Sequence, residues 1–365
     1  MRIAYLSQHV MCRGAGVTSK IDTQIREWIA QGHEVVLFEV PVRNCAASEP
    51  SKNYPHFFLP RQGRARELNC RLSDFKPDLL YLRYQPFSVA IFMAMRNYPS
   101  IIELNSDDLE QRKLMFKSGK IGLLRYLHFR LTRGLFLKMA NGFVSVTHEL
   151  LLCSGFKCFE QPSCVVPNSI NFNTINSVKN IEKSDRCVFP KILFVGTADA
   201  ISWHGLDEIL SLAKACIGIL EFVFVGFEDL GPDYEVSNLS IYPSLADSDF
   251  EEIVAMCDIG IASAALFRKK MNEACALKTR DYLARGLPVI LPHKDTAFLN
   301  LKKDWILELP NEPGSLITHR EDIIQFCQKM KNYVVEWNEV EAYIGSDSLE
   351  SARLDFFEEI IASRG

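Results

Sequence analysis

The 365 residues carry a formal net charge of −4, with 48% hydrophobic and 24% charged side chains. That balance excludes a disordered chain and argues against a protein dedicated to nucleic acid, whose binding domain is normally strongly basic. At ~100–200 residues per domain the length points to two domains, and 11 cysteines scattered without a CxxC pair or zinc spacing point to a reducing compartment.

Met1–Val10 enters directly as a strand and lacks the apolar core of a signal peptide, and no uncharged run reaches the ~18 residues that span a bilayer. The expected location is cytoplasmic. Arg2–Ser7 reads as a strand, a helix opens after Gly14 and Gly16 and ends near Gly32, and Glu34–Val40 is the next strand. Leu79–Arg83, Ser100–Leu104 and Gly142–Val146 are further short apolar runs set between helical patterns. Such alternation argues for α/β architecture with parallel sheets covered on both faces. Residues 1–170 form the first domain and polar residues 171–187 a linker. The pattern restarts in 188–345, with strands at Lys191–Val195, Phe222–Val225, Leu239–Tyr242, Ile259–Ala262 and Pro288–Leu291. Helices are expected at His204–Ala215, Phe250–Met256 and Leu277–Ala284, and residues 346–365 supply a last helix that can pack back on the first domain.

Ligands of open parallel sheets bind beyond the carboxyl ends of strands, near helix N-termini. Gly14-Ala15-Gly16 lies in such a place. It is no dinucleotide fingerprint, because Gln8 to Arg13 separate it from the strand and Ser19 stands where a third glycine belongs. Its backbone N–H groups can approach an anion, or the glycines serve only for turning. At the end of Ile101–Leu104, Asn105 can orient an acceptor hydroxyl, whereas Ser106 to Asp108 suit a helix cap. From Arg112 to Lys138 basic residues interleave with leucine and phenylalanine, and no acid occurs between Glu110 and Glu149. The stretch is either an ordinary amphipathic helix or one resting on an anionic membrane surface.

In the second half, Thr197 ends a strand and Trp203-His204-Gly205 opens a helix where backbone and an imidazole can meet phosphate. The segment Asn272–Ile290 is the most specific. Glu273 is expected in a loop. Lys278 and Asp281, three apart on a helix, share a face; the lysine can meet phosphate and the aspartate ribose hydroxyls.

These residues resemble the retaining GT-B glycosyltransferases of family 4, with an acid, seven residues, a second acid and Ala-x-Gly-x-Pro-Val. Glu273 and Asp281 stand at the acids, and Ala284, Gly286, Pro288 and Val289 in the tail. Gly14-Ala15-Gly16, Gly32-His33-Glu34-Val35, Lys76-Pro77-Asp78, Val166-Pro167-Asn168 and Phe194-Val195-Gly196 fall in the same order as that family's short motifs. The resemblance implies a GT-B fold, two Rossmann-like domains facing across a central cleft. It implies transfer of a hexose from a nucleotide-diphosphate sugar to a hydroxyl acceptor, with retention, in surface polysaccharide or glycolipid assembly. The nucleotide-sugar is then a substrate, and neither a cofactor nor a metal is implied. Glu273 and Asn105 are the expected catalytic residues, and Gly14, Gly16, Thr197, His204, Gly205, Lys278 and Asp281 the donor-binding ones. The family's usual diphosphate-clamping Arg and Lys are replaced by Thr197 and His204, so Lys278, Arg268 or Lys269 must substitute. Alternatives are a nucleotide-sugar epimerase of the same fold and a non-catalytic nucleotide-sugar-binding relative.

Overall fold

The computed structural model describes residues 1–11, 16–41, 51, 53–60, 62–84, 87–115, 120–175, 188–196, 201–228, 230–245 and 247–363, with backbone only at 115, 120–122, 125 and 247. They divide into two units, Met1–Pro167 with Ser346–Gly365, and Asn168–Gly345.

In the first unit the strands are β1 (Arg2–Ser7), β2 (Glu34–Glu39), β3 (His56–Phe58), β4 (Leu79–Arg83), β5 (Ser100–Leu104), β6 (Gly142–Ser145) and β7 (Ser163–Val165). They form one parallel sheet in the order β3-β2-β1-β4-β5-β6-β7. The helices are α1 (Gly16–Ala30), α2 (Arg64–Phe75), α3 (Val89–Met95), α4 (Asp108–Met115), α5 (Lys120–Met139) and α6 (His148–Leu152). Ile3–Leu6, Leu79–Leu82 and Ile101–Leu104 are buried throughout, as strands covered on both faces must be. The edge strands β3 and β7, three residues each and only half-buried, are too short to show a periodicity in sequence.

The second unit repeats the plan. Its strands are β8 (Lys191–Val195), β9 (Glu221–Val225), β10 (Leu239–Tyr242), β11 (Ile259–Ile261), β12 (Glu273–Ala274), β13 (Val289–Leu291), β14 (Lys294–Asp295) and β15 (Ile306–Glu308). Six make a parallel sheet ordered β10-β9-β8-β11-β13-β15, and β12 pairs with β14 alone. The helices are α7 (Leu206–Ala215), α8 (Asp247–Ala255), α9 (Leu277–Ala284), α10 (Ser315–Thr318), α11 (Arg320–Met330) and α12 (Trp337–Ile344). Each unit is thus Rossmann-like.

The last helix, α13 (Ser346–Ala362), belongs to the first unit. The Trp28 indole N–H donates to Glu350 at 3.0 Å, and Arg353 reaches Glu350 at 2.8 Å, the Tyr81 hydroxyl at 3.0 Å and Glu103 at 3.2 Å. All five residues are fully buried. Trp28, Tyr81 and Phe357 pack ring on ring around them, with centroids 5.1–5.3 Å apart. The hydrogen-bonded charges therefore sit inside an apolar cage, where removing one member leaves another unpaired.

Arg353→Met is expected to destabilise the first unit by ~3–5 kcal/mol, the usual cost of breaking a buried charge network from one side. With Trp203, Trp305 and Trp337 replaced by phenylalanine, Trp28 fluorescence during urea unfolding reports that unit alone, and an unchanged midpoint would show the network to be dispensable.

Candidate functional site

At the carboxyl edge of the first sheet, Glu103 is buried among cations. It accepts from Lys20 (2.9 Å), Arg353 (3.2 Å), Arg83 (3.4 Å), Gln24 (3.1 Å) and the Asn105 amide (3.0 Å). Burial pushes its carboxyl upward, but Lys20, Arg353 and Arg83 outweigh that and hold it well below the usual carboxylate range. Burial brings the Lys20 ammonium down to about 8, with Glu103 opposing. Asn105 accepts from Lys20 at 2.8 Å and Arg83 at 3.1 Å while its amide donates to Glu103. In this arrangement both ends of the Asn105 side chain are engaged, so it orders the cluster; Arg83, its side chain 13% exposed, is the charged group nearest solvent. His9, which sequence reasoning passed over, follows β1 with its Nε2 3.3 Å from Thr18 Oγ1. Burial and then the Arg83 charge lower its pKa. Gly16 is the first residue of α1, and Gly14 lies outside the described residues.

The second unit gathers more of the expected residues. Helix α9 crosses β11 with the Tyr282 ring against Gly260, where a Cβ would come within 2.3 Å of the ring. The Tyr282 hydroxyl accepts the Val195 N–H at 2.8 Å, fixing the helix to the end of β8. Lys278 lies one turn before Tyr282 and so shares its face. Its Nζ sits 3.9 Å from the centre of the Phe194 ring, buried and without a hydrogen-bond acceptor among the described residues. Burial alone brings this ammonium down to about 7. Asp281 accepts from Arg285, one turn later, at 3.0 Å, and like Lys278 it lies on the partly exposed side of α9. Arg285 also pairs with Glu251 at 2.5 Å. One carboxylate oxygen of Asp281 therefore remains for a ligand, and its side chain is 28% exposed.

His204 packs edge-on against Phe194, with centroids 6.0 Å apart, and its buried Nδ1 has no partner. Burial first, then Lys278 and Lys269, lower its pKa to about 3, so the ring is neutral at physiological pH. The helix expected from His204 begins at Leu206, because Ser202–His204 form a 3₁₀ turn and Gly205 adopts a left-handed conformation (φ 69°). A Cβ on Gly205 would meet the Ala264 and Ala265 backbone at 2.8 Å, so the residue lets the N-terminus of α7 press on the loop after β11. Lys269 lies over the Trp203 ring at 4.9 Å. Arg268 cannot serve as a substitute clamp here: it is held by Asp207 at 2.6 and 3.0 Å and by the Ser202 carbonyl at 2.7 Å. Thr197 lies outside the described residues.

Glu273 is not in a loop. It is buried in β12, parallel to β14 in the register Glu273↔Lys294. This two-residue pair is braced by Arg280, which binds Asp295 bidentately at 2.6 and 2.7 Å, Cys275 Sγ at 2.9 Å and the Asn168 carbonyl at 3.0 Å. Asn168 also donates its backbone N–H to Cys275 Sγ at 2.9 Å and its amide to the Cys275 carbonyl. A residue missed in sequence is His293, 2% exposed after β13, whose Nε2 has no partner. The strand-end rule that selected Thr197 would have found it.

No protein-family model and no curated protein matches the sequence. Solved structures do match. Sucrose-phosphate synthase from Thermosynechococcus elongatus superposes with a TM-score of 0.69 at 13% identity, covering 99% of each chain. Anabaena HepE in complex with UDP-glucose gives 0.63 at 13%, covering 98% of this chain and 100% of that one. WaaG, a glycosyltransferase involved in lipopolysaccharide biosynthesis, gives 0.60 at 15%, covering 89% and 90%. The chain has the fold of the GT-B glycosyltransferases.

Lys278 should burden the empty protein. With its amine near 7 when folded and in the ordinary range near 10.5 when unfolded, the unfolded chain holds the extra proton between those values. Stability therefore rises with pH across that window, and the cost is full below it. Lys278→Met is expected to raise the thermal midpoint of the free protein, most at pH 6 and least at pH 10. A midpoint that falls equally at both would contradict an uncompensated ammonium.

Proposed function

We propose that this protein transfers a hexose from a nucleotide-diphosphate sugar to a hydroxyl acceptor, with retention at the anomeric carbon. The observation that carries it is the Lys278 ammonium, buried on Phe194 without an acid and beside the α7 N-terminus, in the second unit of a GT-B fold. A diphosphate supplies the missing counter-charge and takes the backbone N–H of Leu206 at the start of α7. As the bond from the anomeric carbon to phosphate breaks, Lys278 neutralises the leaving diphosphate. Glu273 holds hydroxyls of the sugar and steadies positive charge at the anomeric carbon. The oxygen of Asp281 not bound to Arg285 receives ribose. HepE was solved with UDP-glucose, which supports this class of donor.

Binding should be linked to protonation. The free amine titrates near 7, and the bound anion keeps it charged, so nucleotide affinity should fall above pH 7, approaching tenfold per unit. Calorimetry with UDP-, GDP- and dTDP-sugars from pH 6.5 to 9 measures this. Lys278→Met should remove both the binding and the slope. Glu273→Ala should retain the nucleotide and lose transfer by ~100-fold or more. Absence of binding to any of the three sugar nucleotides would end the proposal.

The acceptor is proposed to be lipid-linked and the protein to rest on an anionic membrane. None of the described helices is long and apolar enough to cross a membrane. Helix α5, however, exposes Leu123, Leu124, Leu127, Leu131 and Leu135, with Leu123, Leu127, Leu131 and Leu135 spaced four apart along one face and Leu131 76% exposed. The basic face expected around it is reduced: Arg133 is buried on Asp108 at 2.7 Å, Arg112 lies over Phe129 at 4.1 Å, and Lys113 pairs with Glu110. Arg130 and Lys138 remain exposed, while Lys117 lies outside the described residues. Insertion of leucine thus contributes more than charge. Full-length protein should sediment with phosphatidylglycerol vesicles at low salt, and Leu127→Gln with Leu131→Gln should abolish it; failure of the wild-type protein to sediment would refute membrane binding.

A further inference from the structure

His293 occupies the end of β13, the strand beside β11, and is 2% exposed. Its Nδ1 lies 3.2 Å from the Ser263 carbonyl, on the loop after β11. A carbonyl only accepts, so Nδ1 carries the hydrogen and the neutral ring presents Nε2 as a bare lone pair. That Nε2 is buried and has no partner. Burial keeps the ring from protonating, Asp295 opposes this, and the Lys278 charge is close enough to reinforce it. A buried acceptor without a donor is costly, and the diphosphate bridge of a nucleotide-sugar, ionised on both phosphates and without a P–OH, cannot satisfy it. The occupant of this place must bring an O–H or N–H.

The position selects which. His293 directly precedes β14, and the following Lys294 N–H donates to the Asn272 carbonyl at 3.0 Å. The backbone that carries His293 therefore runs beside Asn272 and Glu273. Hydroxyls at that end belong to the transferred sugar, with ribose at the other.

We infer that His293 is a donor-specificity residue whose Nε2 accepts a hydroxyl of the sugar while Lys278 holds the adjoining phosphate. The inference rests on the proposed donor site. Two variants separate the halves of the ring. His293→Asn keeps a donor to Ser263 and loses the outer acceptor, whereas His293→Gln places an amide oxygen near Nε2 and loses the inner bond.

The test compares affinity for a nucleoside diphosphate, among UDP, GDP and dTDP, with that for its hexose conjugate. Wild type should prefer the conjugate. His293→Asn should lower that preference by about tenfold, the worth of one hydrogen bond, and leave the affinity for the diphosphate unchanged. His293→Gln should restore most of the preference. A wild type without preference, an Asn variant that keeps it, or equal losses in both variants would overturn the role of His293 while the donor site stands. Failure of wild type to bind any of the diphosphates or conjugates would instead overturn the donor site and this inference with it.

Discussion

An ammonium group without a counterion is the constraint around which the second unit is arranged. Taking a lone charge out of water is expensive, and proteins normally neutralise or pair it. Here the face of Phe194 offers some return, on the order of 1–2 kcal/mol for a desolvated cation on a ring. The amine meets the rest by titrating near 7. Lys278 stays in place because α9 cannot roll: Tyr282 is wedged on Gly260 and bonded to Val195, and Arg280 is clamped to Asp295 and Asn168. The burden is thus imposed by well-satisfied neighbours, the pattern of a site kept ready for a ligand at some cost in stability.

The first unit handles charge in the opposite way. Glu103 meets Lys20, Arg83 and Arg353, Arg353 also meets Glu350, and Asn105 fills what remains. Each of these charges has an opposite within bonding distance. Buried pairs of this kind contribute less to net stability than to fixing one arrangement. The arrangement fixed is the seating of α13 against β4 and β5 through residues more than 200 positions distant in sequence. A closed network in one unit and an open cation in the other suit an uncharged acceptor hydroxyl and a charged donor respectively.

Much of this was legible in the sequence. Both parallel sheets could be read because strands buried on two faces are largely apolar runs, as at Ile3–Leu6 and Leu79–Leu82. The short β3, β7, β12 and β14 were not legible, since two or three residues carry no period. Lys278 and His204 both lie against Phe194 near the end of β8, and Gly205 against the loop after β11. The partner of Asp281 was not legible, since its bond to Arg285 depends on how α9 packs. How the basic side chains from Arg112 to Lys138 are used was not legible either, because such a side chain can be claimed from a distance: the Asp108 that buries Arg133 lies 25 residues earlier. The exposure of the α5 leucines depended likewise on which face the helix turned inward.

Why the cation is lysine follows from the same energetics. An arginine at position 278 would keep its charge at any physiological pH, and with no acid in reach it would have to leave the pocket or draw water into it. Lysine can release its proton when the site is empty and recover it when an anion arrives. His204 and His293, neutral through burial, add polarity to the same strand ends without adding charge. The three orphaned nitrogens, Lys278 Nζ, His204 Nδ1 and His293 Nε2, therefore describe one occupant by what they lack. The ammonium lacks an anion. His293 lacks a donor. In the proposed donor site, a diphosphate with a hydroxyl-bearing ring attached answers both.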